Sequence, residues 1–184
     1  MESVSGVGVW VGSRYMRKRL VVAALAAAMV AVGANEAASA PRKVSVDLGV
    51  SAGTIVIKTA ERRLYYVTGS RTALRYSIAV GRRGKQWQGL TAVARKYIKP
   101  AWSPPAEVRR DNPRLPDVIP GGAPNNPMGA AALTLARPEY AIHGTNRPSS
   151  IGTFASYGCF RMLNADILDL YDRVSFGTRV EVRP

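Results

Sequence analysis

The sequence predicts a mainly β fold with one or two short helices and a long proline-rich loop. Short apolar runs rich in Val, Ile and Tyr recur from residue 53 onward, and turn residues such as Gly separate them, which is typical of strands. One stretch near the C-terminus places apolar residues at helical spacing instead. With 184 residues and 47% hydrophobic residues, the chain is long enough for one domain with a sizeable core.

Most of the predicted strands are short and partly alternate between apolar and polar residues. They cover residues 54–58, 64–68, 73–80, 90–96, 132–135, 140–142 and 178–182, with weaker strand character over 44–48. The first three strong runs follow one another across short turns. We therefore expect them to form an antiparallel meander with one face toward solvent.

The segment 99–131 contains most of the 12 prolines of the chain. Proline removes a backbone donor and fixes φ, so this segment is predicted to be a long ordered loop rather than a helix or a sheet. Loops of this length in compact domains are usually functional or disordered.

A short helix is predicted after residue 163. Asn164 is expected to cap its N-terminus, and Asp166 falls in its first turn, where an anionic group is favoured. The apolar residues Ile167, Leu170, Tyr171 and Val174 share one face. We interpret this helix as core packing.

The N-terminus resembles a secretory signal. Arg14 and the basic residues 17–19 precede an apolar run over 20–32, which is shorter than the roughly 20 residues that a membrane-spanning helix needs. Small residues follow, so residues 1–34 are predicted to be a signal peptide, with an uncleaved anchor as the alternative. Residues 35–52 are then a linker. Both readings predict export to the periplasm or cell envelope.

The formal net charge of +14 predicts a polyanionic partner. Nucleic acid is one such partner, but the basic residues are scattered and form no recognisable nucleic-acid-binding motif. A carboxylate-rich wall polymer is an equally good electrostatic partner. The export signal favours the wall polymer.

His143 is the only histidine and Cys159 the only cysteine. A single Cys in an exported chain cannot form an internal disulfide, so it is either an intermolecular link or a reactive thiol. We favour a reactive thiol, and we expect a neighbouring imidazole to lower its pKa and carry its proton. One His, one Cys and scattered carboxylates predict no metal site and no cofactor.

The residues around this pair resemble the signature of the L,D-transpeptidases, cysteine enzymes that cross-link or decorate bacterial peptidoglycan. The matching positions are His143-Gly144-Thr145, Ser150-Ile151-Gly152, and Ser156, Gly158, Cys159, Arg161 and Met162, with Trp102-Ser103-Pro104-Pro105 and Asn126-Pro127-Met128-Gly129 further upstream. The resemblance runs from about residue 53 to the C-terminus. The chain departs from it at Tyr157, where many family members carry a second His.

The resemblance implies a β-sandwich over residues 53–184, with the Cys/His pair at one end of the sheets and a lid formed by the proline-rich loop. It implies that Cys159 is the nucleophile and His143 its proton acceptor and donor. The carbonyl of Gly144 would orient the imidazole. The backbone N–H groups of Cys159 and of Gly158 or Tyr157 would hold the oxyanion. The implied reaction releases D-Ala from a stem peptide and joins the donor to an amine. Sensitivity to carbapenems is implied as well.

Several polar residues in the motif are candidate substrate contacts. Arg161 can bind a substrate carboxylate, with an ion pair to Asp166 or Asp169 as the structural alternative. The other candidates are Thr145, Ser150, Ser156 and Tyr157. For the Thr and Ser hydroxyls, loop capping is the competing interpretation.

Three further functions remain open on the sequence alone. An L,D-carboxypeptidase or another wall-peptide cysteine hydrolase would share Cys159 and His143. A non-catalytic wall-binding module would carry Cys159 without using it. For a transpeptidase, the acceptor would be another stem peptide, a lipoprotein or outer-membrane protein, or a free D-amino acid.

Overall fold

The computed structural model describes residues 41–184, and the predicted signal peptide lies outside the described residues. The strands are β1 (Arg42–Ser45), β2 (Ile55–Lys58), β3 (Arg63–Gly69), β4 (Thr72–Ser77), β5 (Val80–Gly81), β6 (Gly89–Ile98), β7 (Ala131–Leu135), β8 (Ala141–His143), β9 (Phe154–Ser156), β10 (Phe160–Arg161) and β11 (Arg179–Arg183). The helices are α1 (Ala106–Asp111) and α2 (Asn164–Arg173), with a 3₁₀ turn at Pro148–Ser150. The predicted mainly β fold with short helices is confirmed. Within this part of the chain, no helix is long and apolar enough to cross a membrane.

Nine of the strands form one continuous sheet in the order β1-β4-β3-β2-β11-β6-β7-β8-β10, and β5 pairs with β9 separately. The predicted meander is present, because β2, β3 and β4 pair antiparallel in sequence order. The third predicted strand is divided: β4 ends at Ser77, and the chain then continues through a bridge between Ala79 and Arg161 into β5.

Strand β6 belongs to both halves of the sheet. Its first residues pair with β11, its later residues pair with β7, and the register shifts between Val93 and Arg95. One hydrophobic core contains residues from both halves and from α2. Among its largest fully buried members are Tyr76, Phe160, Ile55, Leu64, Leu133, Ile142 and Leu170. The two halves of the sheet therefore share strand β6 and pack on either side of one core. This arrangement corresponds to the predicted sandwich.

The C-terminal part of the predicted linker belongs to the sheet. Strand β1 pairs antiparallel with β4, although its burial is low. A second, smaller hydrophobic cluster forms beside it, in which Val44, Leu48 and Val50 pack with Tyr65 and Val67. Residues 42–50, which we assigned to the linker, therefore contain a strand and pack against the domain. Apolar residues at every second position of this polar segment were too few to indicate burial.

The proline-rich segment is ordered, as predicted, but it contains the helix α1. Pro105 occupies the N-cap position of α1, where the lack of an N–H group costs nothing because the first helical N–H groups are unpaired anyway. The prediction of no helix was wrong for this reason. The amide nitrogen of Asn126 donates to the carbonyls of Pro100 and Pro120 at 2.9 Å each and fixes the rest of the segment.

Helix α2 packs as predicted, with Ile167, Leu170 and Val174 buried. Its predicted cap is wrong, because Leu163 occupies the N-cap position and no side chain caps the helix. The Asn164 carboxamide oxygen instead accepts hydrogen bonds from the N–H groups of Ala130 and Thr145, at 3.0 Å each. The helix is thereby tied to the turn that follows β8.

Candidate active site

The sheet brings the predicted catalytic residues onto one face. Strands β8 and β10 are parallel neighbours, and Arg161 pairs in register with His143. Side chains at paired positions point to the same face of a sheet. Cys159 lies two residues before Arg161, and because side chains alternate between the two faces, its side chain is on the same face as that of Arg161. His143, Cys159 and Arg161 accordingly line one cavity.

This cavity has a volume of about 380 Å³. Its floor is formed by the ends of β8 and β10, and its wall by α1 and the proline-rich segment. The lining residues are Trp102, Pro105, Ala106, Glu107, Val108, Arg110, Pro127, Met128, Glu139, Tyr140, His143, Ser156, Tyr157, Cys159 and Arg161. Part of the proline-rich segment therefore lines the same cavity as Cys159. A volume of this size is typical of small-molecule sites.

Gly158 shapes the turn that presents Cys159. Its φ of 122° lies in the region that favours glycine, and an added Cβ would collide with the ring of Tyr140. The indole N–H of Trp87 donates to the Gly158 carbonyl at 3.0 Å. Trp87 also packs against the rings of Tyr140 and Phe160, with centroids 5.2 and 5.5 Å away. Trp87 thus holds the backbone next to Cys159.

The hydroxyl of Ser156 holds the same turn from the inside. It donates to the Cys159 carbonyl at 2.5 Å and accepts from the Gly158 N–H at 3.1 Å. The Gly158 N–H, which we predicted as an oxyanion donor, is therefore already used. The N–H groups of Tyr157 and Cys159 donate no hydrogen bond within residues 41–184. These two N–H groups are the free donors beside the sulfur.

The thiol of Cys159 is partly exposed and donates to the Glu139 carbonyl at 3.5 Å. Burial raises its pKa above the ordinary value, and this effect outweighs the opposite effects of the Ala141 N–H and the Arg161 charge. The expected lowering of the thiol pKa was wrong. No positive imidazole is present to produce it.

The imidazole of His143 is buried and neutral. Burial is the largest cause that lowers its pKa, to about 4, and the charge of Arg161 lowers it further. The carbonyls of Gly144 and Pro127 act in the opposite direction. Nδ1 is buried and has no hydrogen-bond partner within the described residues. At neutral pH the resting pair is therefore a neutral thiol and a neutral imidazole.

Two of the predicted substrate contacts do not line the cavity. Thr145 is buried, donates its N–H to Asn164, and accepts the N–H of Arg147 with its hydroxyl at 2.9 Å. Ser150 donates its hydroxyl to the Arg147 carbonyl at 2.7 Å in the 3₁₀ turn. Loop capping is the correct interpretation for both residues. Together with Asn164, they fix the turn that follows His143.

Tyr157 connects the nucleophile loop to helix α1. Its hydroxyl donates to the Asp111 carboxylate at 2.6 Å, and the Arg82 guanidinium lies 4.0 Å from its ring centroid. Arg82 also pairs with Asp111 at 2.9 Å. On α1, Glu107 pairs with Lys85 at 2.5 Å. Tyr157 therefore links the turn before Cys159 to α1, which forms part of the cavity wall.

Arg161 carries a charge without a partner. It forms no ion pair within residues 41–184, since Asp169 pairs with Arg173 instead, and Asp166 makes no hydrogen bond with Oδ2. Burial lowers the Arg161 pKa, although the guanidinium stays charged at neutral pH. The structural alternative of an ion pair is therefore wrong, and the guanidinium faces the cavity.

The sequence did not indicate three roles. Pro127 lies near the imidazole, Asn164 holds the turn after β8 through hydrogen bonds, and Glu139 lines the cavity. For Trp87, the sequence is compatible with a residue at the entrance of the site or with a half-buried structural residue. Only Trp87 carried a signal, because a Trp between two glycine-rich turns is a candidate for a structural anchor. The other three roles depend on contacts between distant parts of the chain.

Comparison with known proteins supports the geometry. A model of the L,D-transpeptidase catalytic domain matches residues 52–182. The Escherichia coli protein YbiS, described as a probable L,D-transpeptidase, is 45% identical over 136 residues, which cover 69% of this chain and 43% of the relative. The chain thus spans less than half the length of this relative.

Two solved structures share the fold. An L,D-transpeptidase from Mycobacterium smegmatis superimposes with a TM-score of 0.57 at 14% identity, over 71% of this chain and 58% of that protein. A Brucella melitensis protein, described as a probable carnitine operon oxidoreductase, gives a TM-score of 0.52 at 43% identity, over 75% of this chain and 89% of that protein. The family model covers well over half of the described residues. The chain therefore belongs to the L,D-transpeptidase catalytic domain family.

Proposed function

We propose that this protein is an exported L,D-transpeptidase that acts on peptidoglycan stem peptides through a thioester on Cys159. One observation carries the proposal: a single cavity holds a thiol, a neutral imidazole and a guanidinium that forms no ion pair within residues 41–184. A nucleophile, a base and a carboxylate-binding group are what acyl transfer requires when the donor bears a carboxylate next to the scissile amide. The wall polymer supplies such donors.

The first half-reaction acylates the thiol. His143 takes the thiol proton while the sulfur attacks the donor carbonyl, since a neutral base and a protonated thiol are the resting forms. The N–H groups of Tyr157 and Cys159 stabilise the oxyanion, and one such donor is worth about 10²–10³ in rate. Arg161 binds the carboxylate of the departing D-Ala. The imidazolium returns its proton to the leaving amine.

The second half-reaction decides between transpeptidase and carboxypeptidase. An amine acceptor that attacks the thioester gives a cross-link or an anchored protein, and water gives a shortened stem. His143 serves as the base in either case, because its low pKa leaves it neutral after D-Ala departs. Carbapenems are expected to acylate the same sulfur.

In this proposal the carbonyls of Gly144 and Pro127 act once the imidazole takes the thiol proton, since Nδ1 of the resting ring has no hydrogen-bond partner within residues 41–184. These carbonyls favour the protonated imidazole, which is the form that appears during thiol deprotonation. In this proposal, backbone carbonyls therefore replace the carboxylate that supports the histidine of other triads. Asn164 fixes the position of the Gly144 turn.

The proposal is tested by incubating the chain with a tetrapeptide-stem muropeptide and measuring its intact mass. We expect a thioester adduct on the wild type, free D-Ala and dimeric muropeptide, with none of these from Cys159→Ala. A shortened stem without dimer would show an L,D-carboxypeptidase. A folded protein with a free thiol, no adduct and no D-Ala would refute acyl transfer and favour the wall-binding module.

A further inference from the structure

The charged side chains of the cavity are not all neutralised. Two acidic residues line it, Glu107 and Glu139. Glu107 pairs with Lys85 at 2.5 Å and with Arg82 at 3.8 Å. Glu139 forms no ion pair with any residue of the described range 41–184. The carboxylate of Glu139 is therefore the negative charge that remains available to a ligand in this cavity.

Glu139 also lies next to the nucleophile. Its backbone carbonyl accepts the Cys159 thiol at 3.5 Å, and its negative charge raises the thiol pKa while the positive charge of Arg161 lowers it. The sulfur thus feels opposite effects from an anion and a cation that form no ion pair within residues 41–184. Both groups act on it from within the same cavity.

The turn between β7 and β8 presents Glu139 to solvent. Its φ of 66° lies in the left-handed region, which a residue with a side chain occupies at some cost. The neighbouring Arg137 does not neutralise it, because the guanidinium stacks on the rings of Trp87 and Tyr140 at 5.0 and 5.2 Å. The exposed carboxylate is therefore open to a ligand that approaches the thioester from solvent.

We infer that Glu139 forms the acceptor subsite and binds the primary ammonium group of the incoming amine. This inference rests on the proposed function. Arg161 already matches the donor, which brings a carboxylate, whereas the acceptor of a transpeptidation is a cation at neutral pH. A carboxylate beside the sulfur raises the local concentration of such a cation at the thioester. It does not raise the rate at which water attacks the thioester.

The proton balance of the step is complete without another reactant. The bound ammonium gives one proton to neutral His143, and the free amine forms the C–N bond to the thioester carbon. The C–S bond breaks, and the second nitrogen proton moves to the departing sulfur. The products are an amide, the resting thiol and an imidazolium, which releases its proton to solvent because its pKa is about 4.

The test measures how the thioester divides between amine and water. The full chain is acylated with a tetrapeptide-stem donor in the presence of one of two probe nucleophiles. Nα-acetyl-lysine amide carries an ammonium at neutral pH, whereas hydroxylamine is uncharged. For Glu139→Gln, which keeps the shape of the side chain, we expect about a five-fold loss of partition to the lysine amine. Partition to hydroxylamine should stay unchanged. Because partition is measured after the thioester has formed, it does not depend on the acylation rate, which the loss of the charge beside the thiol can alter.

Two further variants complete the design. Glu139→Lys reverses the charge and is expected to weaken partition to the lysine amine more than Glu139→Gln does. Asp172→Asn removes one exposed negative charge outside the cavity lining and should change neither probe.

The outcomes separate this inference from the proposed function. Equal losses with both probes, or no loss with either, would overturn the acceptor subsite while the thioester chemistry stands. A wild-type protein that forms no thioester would refute the proposed function, and the acceptor subsite would fall with it.

Discussion

Replacing His143 with glutamine is expected to make the stability of the protein less sensitive to acid. The buried imidazole has a pKa of about 4, against an ordinary value of 6.5. As the pH falls below 6.5, the unfolded chain binds a proton that the folded chain does not. Folding stability is therefore lost between about pH 6.5 and pH 4, and the loss disappears in His143→Gln.

The magnitude follows from the two pKa values. At about pH 7.5 both states are neutral and the imidazole contributes almost nothing to the pH dependence. At about pH 5 the unfolded state is protonated and the folded state is mostly not, which costs about 2 kcal/mol. Gln cannot ionise, so the variant should lose about 2 kcal/mol less than the wild type between these two conditions.

Urea unfolding at the two pH values measures the difference directly. The chain contains one histidine, so no other imidazole contributes to the comparison, and carboxylates act equally in both proteins. The intrinsic effect of the substitution cancels, because only the change between the two conditions is compared. Parallel losses of unfolding free energy in wild type and variant would refute a buried neutral His143, and with it the proposed resting state of the pair.

Three other substitutions test the surroundings of the site. Gly158→Ala places a Cβ at a φ of 122° against the Tyr140 ring. We expect the unfolding free energy in urea to fall by about 2–4 kcal/mol. A variant as stable as the wild type would contradict the strained turn. Trp87→Phe keeps an aromatic ring beside Phe160 and removes the N–H that binds Gly158. Acylation should fall about five-fold, with only a small shift in the thermal midpoint, whereas equal acylation rates would rule out a positioning role. Burial raises the pKa of Asp166 to about 6, so its folded pKa exceeds the unfolded one and stability is lost as the pH rises from about 4 to 6. Asp166→Asn should remove up to about 3 kcal/mol of that loss, and unchanged pH dependence in urea would show that the carboxylate is solvated.

The strands of the core were largely predictable because their pattern is local. The alternating run over 178–182 and the apolar run over 54–58 indicate strands without knowledge of their neighbours. Both are buried and pair with each other in parallel. That pairing joins two segments from opposite ends of the domain, and no local pattern predicts it.

The helix in the proline-rich segment shows where local reasoning fails. Proline statistics argue against a helix over 99–131 as a whole, yet Pro105 stands at the N-cap, and the helix after it contains no proline. Similarly, the polar segment around β1 is held in the sheet by its pairing with β4 and by a few apolar contacts. In both cases the neighbours, and not the segment, decided the structure.

The sequence by itself determined which groups are available for chemistry: it contains one thiol and one imidazole, and the residues around them carry the family signature. Only the tertiary structure decided how these groups behave. Burial leaves His143 neutral and Cys159 protonated, and Ser156 uses the Gly158 N–H. Glu139, whose carbonyl accepts the thiol, forms no ion pair within the described residues. The physical reason is that desolvation and ion pairing depend on which distant residues surround a group. The residue types along the chain do not contain that information until the sheet brings β8 and β10 together.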